Sequence, residues 1–318
     1  MNTASRVVVI GESLVDLVWH PGADQVRPVP GGSPANVATG LRRLGRPVIL
    51  VTCWGDDPPG ELVARWLSGT GLDVVRAPSA SARTTVALAY VDAVSGSATY
   101  DFVPHWDPVD LPTADGAALV HTGSLAAVLA PGADSVLEVC ERLHGRPGCA
   151  VSADLNVRPA VQPDRALYRA AVERLATVTD VVKASDEDLR WLWPDRDPGR
   201  SARALLALGP RLVVLTRGAK GASAYTGAEG TEVSVAAPPV QVVDTIGAGD
   251  AFQSALLDGL LVAEPGVGVS VRLPDTPQAL RELLVRSVVA GALATTRPGA
   301  QPPHAKELMA ALENPAGR

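Results

Sequence analysis

From residue 117 onward the chain alternates short apolar runs with longer amphipathic stretches, and few folds accommodate that order. Strands are expected near 118–121 and over 150–157, 180–183 and 212–216, with helices over 132–143, 164–176, 186–193 and 200–208. A strand near 222–225 and helices over 250–262 and 278–295 follow. Strands that each lead into a helix build a mainly parallel sheet covered on both faces. The expected fold is therefore α/β, a three-layer α/β/α sandwich of Rossmann-like type, with ligands bound beyond the carboxyl ends of its strands.

The N-terminal part departs from this series. Val7–Ile10 reads as a buried strand closed by Gly11, and Leu14–Trp19 as a second strand interrupted by Asp16. Gly31-Gly32 forms a turn. Ser33 and Pro34 suit the N-cap and first position of a helix whose apolar stripe is Val37, Leu41 and Leu44, ending at Gly45. A strand over 48–52, a helix over 60–68, and a hairpin of Thr84–Val91 and Ala98–Val103 joined through Ser95-Gly96 come next. The strands outside the βα series are assigned to a small β-sheet lid over the cleft. It is formed by about 12–32 and 83–106 of a single domain spanning 1–318.

A chain of 318 residues, 47% of them hydrophobic, can bury one large core. Its net charge of −6 supplies no basic field for nucleic acid or an anionic membrane, so the expected partner is a small molecule. Cys53, Cys140 and Cys149 match neither a disulfide framework nor a zinc site, which suits a cytoplasmic location. Glu12 and Asp16, directly after the first apolar run, argue against a signal peptide or membrane span there. No Gly-Lys dipeptide occurs, which excludes the Walker phosphate loop, and the G-x-G-x-x-G, H-E-x-x-H and G-x-S-x-G patterns are absent.

The strongest chemical signal is Val243-Asp244-Thr245-Ile246-Gly247-Ala248-Gly249-Asp250-Ala251-Phe252, a glycine-rich turn opening an apolar helix. Small residues at 247–249 let a phosphate approach the free N–H groups of the helix start, where the dipole favours negative charge. An Asp beside that anion site can take a proton from an attacking hydroxyl. The same residues also fit an ordinary glycine turn with Asp250 as its cap. Asp16 shares its strand face with Leu14 and Val18, where a carboxylate needs a partner; the alternative is an inward charge guarding an edge strand. Over 150–158, Ser152, Asp154, Asn156 and Arg158 alternate with Val151, Ala153, Leu155 and Val157. That polar side faces either the crevice or a solvated sheet edge.

Two motifs occur together here, Gly31-Gly32-Ser33-Pro34-Ala35-Asn36 early and the 244–252 signature late. On these the chain resembles the ribokinase-like family of sugar kinases over about residues 7–303. The resemblance implies transfer of the γ-phosphoryl group of ATP to a sugar hydroxyl with Mg²⁺. Asp250 would be the base, the backbone of Gly247, Ala248 and Gly249 the anion hole, and Asp16, Gly31, Gly32, Asn36, Asp154 and Arg158 the sugar site. Thr216-Arg217-Gly218-Ala219-Lys220-Gly221 is similar to the family's nucleotide loop, so Thr216, Gly218 and Gly221 are assigned to ATP; alone it also reads as a glycine hairpin. Lys183-Ala184-Ser185-Asp186-Glu187-Asp188 stands where the family has N-x-x-E. Lys183 and Ser185 are thereby assigned to the nucleotide and Glu187 or Asp188 to magnesium waters, although Ser185 and Asp188 equally fit a capping box. Thr296-Arg297-Pro298-Gly299-Ala300 resembles the segment that, with the loop around Asp244, holds a monovalent cation such as K⁺. Its carbonyls would be those of Asp244, Ile246, Ala294, Arg297 and Gly299, while Pro303 stands where a hydroxyl ligand is usual. Ser33, in place of lysine, points to the fructokinase-like branch, with 2-keto-3-deoxygluconate and nucleosides as alternative acceptors. A non-catalytic sugar or nucleotide sensor is the reading from another class. Open lid strands also allow a homodimer through the lid.

Overall fold

The structure, a computed structural model, describes residues 6–20, 22–91, 98–227, 231–264 and 268–313. Its main sheet is built from β1 (Arg6–Ile10), β4 (Val48–Thr52), β5 (Asp73–Arg76), β8 (Ala117–Gly123), β9 (Ala150–Asp154), β10 (Val181–Ser185), β11 (Leu212–Thr216), β12 (Ala222–Thr226) and β13 (Thr231–Val235). The strand order is β13-β12-β11-β10-β9-β8-β1-β4-β5. From β11 to β5 every pairing is parallel; β12 and β13 run antiparallel at one edge. A second sheet, of order β3-β2-β6-β7, joins β2 (Leu14–Trp19), β3 (Arg27–Gly31), β6 (Thr85–Val91) and β7 (Ala98–Val103). This is the lid. The Ser95-Gly96 connection lies outside the described residues.

Strands of the main sheet are apolar on both sides because both sides are covered. Val7 and Val9 pack with α1 (Ser33–Arg43), α2 (Pro58–Ser68) and α7 (Ala248–Leu260), while Val8 and Ile10 pack with α3 (Gly132–Leu143) on the opposite face. Farther along, Val182, Ala184, Val213 and Leu215 meet α4 (Arg165–Ala176), α5 (Asp186–Leu192) and α6 (Pro198–Leu206). Val181, Leu212 and Val214 meet α7 and α8 (Pro277–Ala294). The result is the three-layer α/β/α sandwich with its smaller sheet.

Helix α7 carries the site, so its anchorage matters. Asp258 in its last turn receives Arg46 Nε at 2.5 Å and is also paired with Arg286 of α8. Gly40 of α1 packs so closely on Ser254 of α7 that a Cβ there would lie 2.4 Å from the Ser254 hydroxyl oxygen. Only a glycine lets the two helices approach this far.

Several expectations are corrected. β9 ends at Asp154 rather than at 157. Leu155 N–H still bonds the Lys183 carbonyl, but Val157 N–H turns to the Asp188 carboxylate at 2.8 Å and Asn156 sits at φ 36°. The polar alternation therefore leaves the sheet before reaching Arg158. Ser33 does not cap α1: the N-cap is Gly32, and Ser33 is the first helical residue. Elements β5, β13, the hairpin of β14 (Leu261–Glu264) with β15 (Gly268–Val271), and α9 (Ala305–Glu313) had no expected counterpart. Among the described residues, no helix is long and apolar enough to cross a membrane.

Candidate active site

The site forms where the start of α7 meets the start of α1, beyond the carboxyl ends of β9 and β10. Gly247 adopts left-handed φ 75°, and a Cβ on it would lie 2.6 Å from the Ala300 Cβ. The turn thus needs glycine twice over, for its backbone angle and for its contact. No side chain caps α7. Ala248 N–H donates to the Thr245 carbonyl at 3.2 Å and the helical ladder begins with Ala251 N–H to the Gly247 carbonyl. The N–H groups of Gly247, Gly249 and Asp250 donate to no other described residue. Free N–H groups at a helix start are a site for an anion. Of the three residues expected to line an anion hole, Ala248 spends its N–H on the turn, whereas the N–H groups of Gly247 and Gly249 are unclaimed among the described residues.

Asp250 is 9% exposed and held on both oxygens. The Ser33 hydroxyl donates to Oδ1 at 2.7 Å and the Asn36 amide to Oδ2 at 2.8 Å. Burial pushes its carboxyl up, against the pull of these two hydrogen bonds and of the Lys183 charge. The carboxylate is thereby aimed without being neutralised by an ion pair. Asn36, expected on the sugar, spends one amide N–H on Asp250.

The Asp16 carboxylate has no hydrogen-bond partner among the described residues. Burial raises its carboxyl to about 6; the Arg158 charge lowers it and that of Asp250 raises it further, as befits groups that lie near one another. Gly31 and Gly32 bring the backbone close. A Cβ on Gly31 would lie 3.4 Å from Asp16 Oδ2, and one on Gly32, at φ 120°, 2.5 Å from the Glu12 carbonyl oxygen. An ionised Asp16 would offer acceptors at both oxygens to a pair of hydroxyl groups, whereas the protonated acid turns one of them into a donor. As pH falls through about 6, Asp16 takes up its proton, so kcat/KM for the acceptor should decline on the acid side, with Asp250 titrating in the same direction. A profile flat down to pH 5 contradicts this role for Asp16.

Arg158 donates from Nη1 to the carbonyls of Val157 at 3.0 Å and Asn156 at 3.5 Å, while its N–H bonds the Tyr168 hydroxyl. Asp154, expected on the sugar, and Lys183, expected on the nucleotide, are instead paired with each other at 2.6 Å and buried. On the far side of the cleft, Thr216 ends β11. Gly218 lies at φ 51° with open space where a Cβ would be, and Gly221, at φ 90°, is pressed against the Val235 carbonyl. The Arg217–Gly221 loop follows the carboxyl end of β11 and is exposed over 218–220.

Asp188 does not present itself to a metal. Its Oδ2 accepts Ser185 N–H at 2.7 Å and its Oδ1 accepts Val157 N–H, completing the capping box with Ser185. Both oxygens are spent on backbone, while Glu187 is exposed. Among the described residues no group of three or more His, Cys, Asp or Glu could hold a metal. The cation segment fits better. Asp244 Oδ2 accepts Gly299 N–H at 2.8 Å and Oδ1 accepts Ile246 N–H at 2.9 Å. The carbonyls of Asp244, Ile246, Ala294 and Arg297 accept no hydrogen bond from another described residue, and that of Gly299 accepts from Gln301.

Glu12 also belongs to this region, although in the sequence it counts only as a charge behind the first strand. It is fully buried and raised by burial to about 7, with Oε2 accepting Ala126 N–H at 3.3 Å and Oε1 unpaired among the described residues. The signal available was a Glu between Gly11 and Ser13 at a strand's carboxyl end.

A buried carboxylate beside unclaimed backbone N–H groups, near a second carboxylate without a side-chain partner, is an arrangement suited to phosphoryl transfer to a hydroxyl group. The sequence matches the pfkB family carbohydrate kinase over residues 4–307, so the chain belongs to that family and is an ATP-dependent sugar kinase. A fructokinase from Klebsiella pneumoniae is 33% identical, covering 93% of this chain and 94% of the relative. One from Rhizobium leguminosarum bv. trifolii is 34% identical over 80% of this chain and 79% of the relative. A fructokinase double mutant from Vibrio cholerae O395, solved with fructose, ADP and potassium ion, superposes with a TM-score of 0.79 at 28% identity, covering 98% and 99% of the two chains.

Proposed function

We propose that the chain is a fructokinase in which Asp16 binds sugar hydroxyls and Asp250 deprotonates the one that attacks. The observation that carries this reading is the unpartnered Asp16 carboxylate near the doubly held Asp250. The attacking oxygen forms a bond to the γ-phosphorus as the bond to the ADP oxygen breaks, and its proton passes to Asp250. The N–H groups of Gly247, Gly249 and Asp250 meet the charge on the transferring group. Fructose is supported by the relatives above and by Ser33, whose hydroxyl is engaged with Asp250. Arg158 spends Nη1 on backbone carbonyls, which disfavours it as a carboxylate anchor for 2-keto-3-deoxygluconate. A non-catalytic sensor has no use for a base held this way. Steady-state comparison of fructose, ribose, adenosine and 2-keto-3-deoxygluconate tests the reading: fructose should have the highest kcat/KM. A higher value for 2-keto-3-deoxygluconate overturns the assignment.

Magnesium arrives with the nucleotide phosphates in this reading, with no protein carboxylate assigned to it, as suits an ion that keeps its waters. A potassium ion would be held by the carbonyls of Asp244, Ile246, Ala294, Arg297 and Gly299, all but the last of which accept no hydrogen bond from another described residue. Its charge would steady the turn that Gly299 N–H ties to Asp244. Potassium should raise kcat over a tetramethylammonium buffer of equal ionic strength; equal rates in the two contradict the site. Trp19 and Tyr90, 44% and 37% exposed with ring centroids 6.2 Å apart, lie on the lid and suit a homodimer through it. The three free thiols, Cys53, Cys140 and Cys149, suit a reducing cytoplasm.

A further inference from the structure

We propose that Asp154 is a positioning residue: it holds the Lys183 ammonium at the floor of the anion-binding turn, where that charge acts on the transferring phosphoryl group. The proposal rests on the kinase reading above and gives Asp154 a role other than sugar contact.

The pair is set by sheet register. Asp154 ends β9, Lys183 lies near the carboxyl end of β10, and the two residues are direct partners across the parallel ladder. Lys183 Nζ reaches Asp154 Oδ2 at 2.6 Å, with the two side chains only 5% and 3% exposed. The side-chain partner of the Asp154 carboxylate among the described residues is Lys183, and its other oxygen accepts no hydrogen bond from them. Lys183 in turn points at the turn: its Nζ lies 3.7 Å from where a Cβ of Gly249 would be. The ammonium thus lies close to the turn, and the Asp250 carboxyl feels both the Lys183 and the Asp154 charge.

Stability alone does not account for charges in this place. A buried ion pair is often no more stabilising than an apolar pair of the same shape, whereas a lone buried charge is strongly unfavourable. An ammonium fixed in a water-poor site beside a developing anion, by contrast, needs no reorganisation as the reaction proceeds. The other groups around the pair leave it intact. His121, pushed down to about 3 by burial and by Lys183, is neutral, and it faces Ser152 at 3.3 Å and Gln253 at 3.5 Å. Asp188 is occupied by the backbone.

The test uses Asp154→Asn and the double variant Asp154→Asn/Lys183→Met in the full chain, with melting temperature, kcat and both KM values measured against the best wild-type sugar. Asp154→Asn should lose about 10²-fold in kcat with sugar KM within about twofold, as for loss of one preorganised electrostatic contact. The double variant removes both charges, so it should regain wild-type melting behaviour while kcat stays about 10²-fold down. If the single variant does not fold, the double variant decides alone. Recovery of kcat to within about threefold of wild type in the double variant means that the pair is purely structural and overturns the proposal. A raised sugar KM at unchanged kcat in Asp154→Asn overturns it too, by making Asp154 a sugar ligand. A wild type inactive on every sugar indicts the kinase reading instead, whereas an active wild type with unaffected variants indicts the positioning role.

Discussion

Asp250→Asn is expected to fold like the wild type and to lose about 10²- to 10⁴-fold in kcat, with far less change in nucleotide affinity. The substitution keeps the shape of the side chain and one oxygen for the Ser33 hydroxyl, now 2.7 Å from Oδ1. Asn36 can meet the new amide by turning its own, because an amide presents both a donor and an acceptor. What disappears is the proton acceptor, which burial makes more basic than an exposed Asp. The loss should therefore fall on the chemical step. A thermal melt alongside steady-state kinetics separates the two effects. If a folded variant keeps more than roughly a tenth of wild-type kcat with chemistry rate-limiting, Asp250 is no base.

Gly247→Ala should damage both stability and rate. Gly247 sits at φ 75°, where a side chain costs about 1–2 kcal/mol in a left-handed conformation. The new Cβ would also lie 2.6 Å from the Ala300 Cβ and 2.7 Å from its Cα. Forcing extra atoms into such a contact typically adds about 1–3 kcal/mol. The turn can relieve the clash only by moving away from Ala300, which displaces the N–H groups of Gly247 and Gly249. Misplacing such donors costs about 10²- to 10³-fold in kcat. Gly45→Ala is the control: φ is 91° there, but nothing lies within 4 Å of the added carbon. It should lower stability by about 1–2 kcal/mol and leave kcat unchanged. Equal effects of the two substitutions on kcat would show that the Gly247 turn is not part of the catalytic surface.

Central strands and their helices were legible because burial on both sides writes a continuous apolar run and the following helix writes a stripe. α3 over 132–143 and β11 over 212–216 match their expected bounds. β5 was missed for the opposite reason: Asp73-Val74-Val75-Arg76 is a short edge strand, largely exposed and without a clear apolar run. β9 reads longer in the sequence than it is because its alternation continues past Asp154, although a left-handed Asn156 and the Asp188 anchor stop the strand. In the site, the glycine turn and Asp250 stand out locally, since their chemistry is carried by neighbouring residues. Ser33 and Asn36 lie more than 210 positions from Asp250, and Lys183 lies 29 from Asp154. Which partner each takes is settled by packing of α1 on α7 and of β9 beside β10, and no local pattern encodes it. The capping box of Ser185 and Asp188 was visible as one of two readings, and the occupied oxygens of Asp188 decide between them.

ADP release from MgATP, measured with and without D-fructose and matched against the phosphorylated sugar formed, tests the central account most directly. With Asp16 binding the sugar and Asp250 taking its proton, release should depend on fructose, yield one sugar phosphate per ADP, and fall about 10²-fold or more in Asp250→Asn. ADP release that is indifferent to fructose, or that persists undiminished in a folded Asp250→Asn variant, would contradict it.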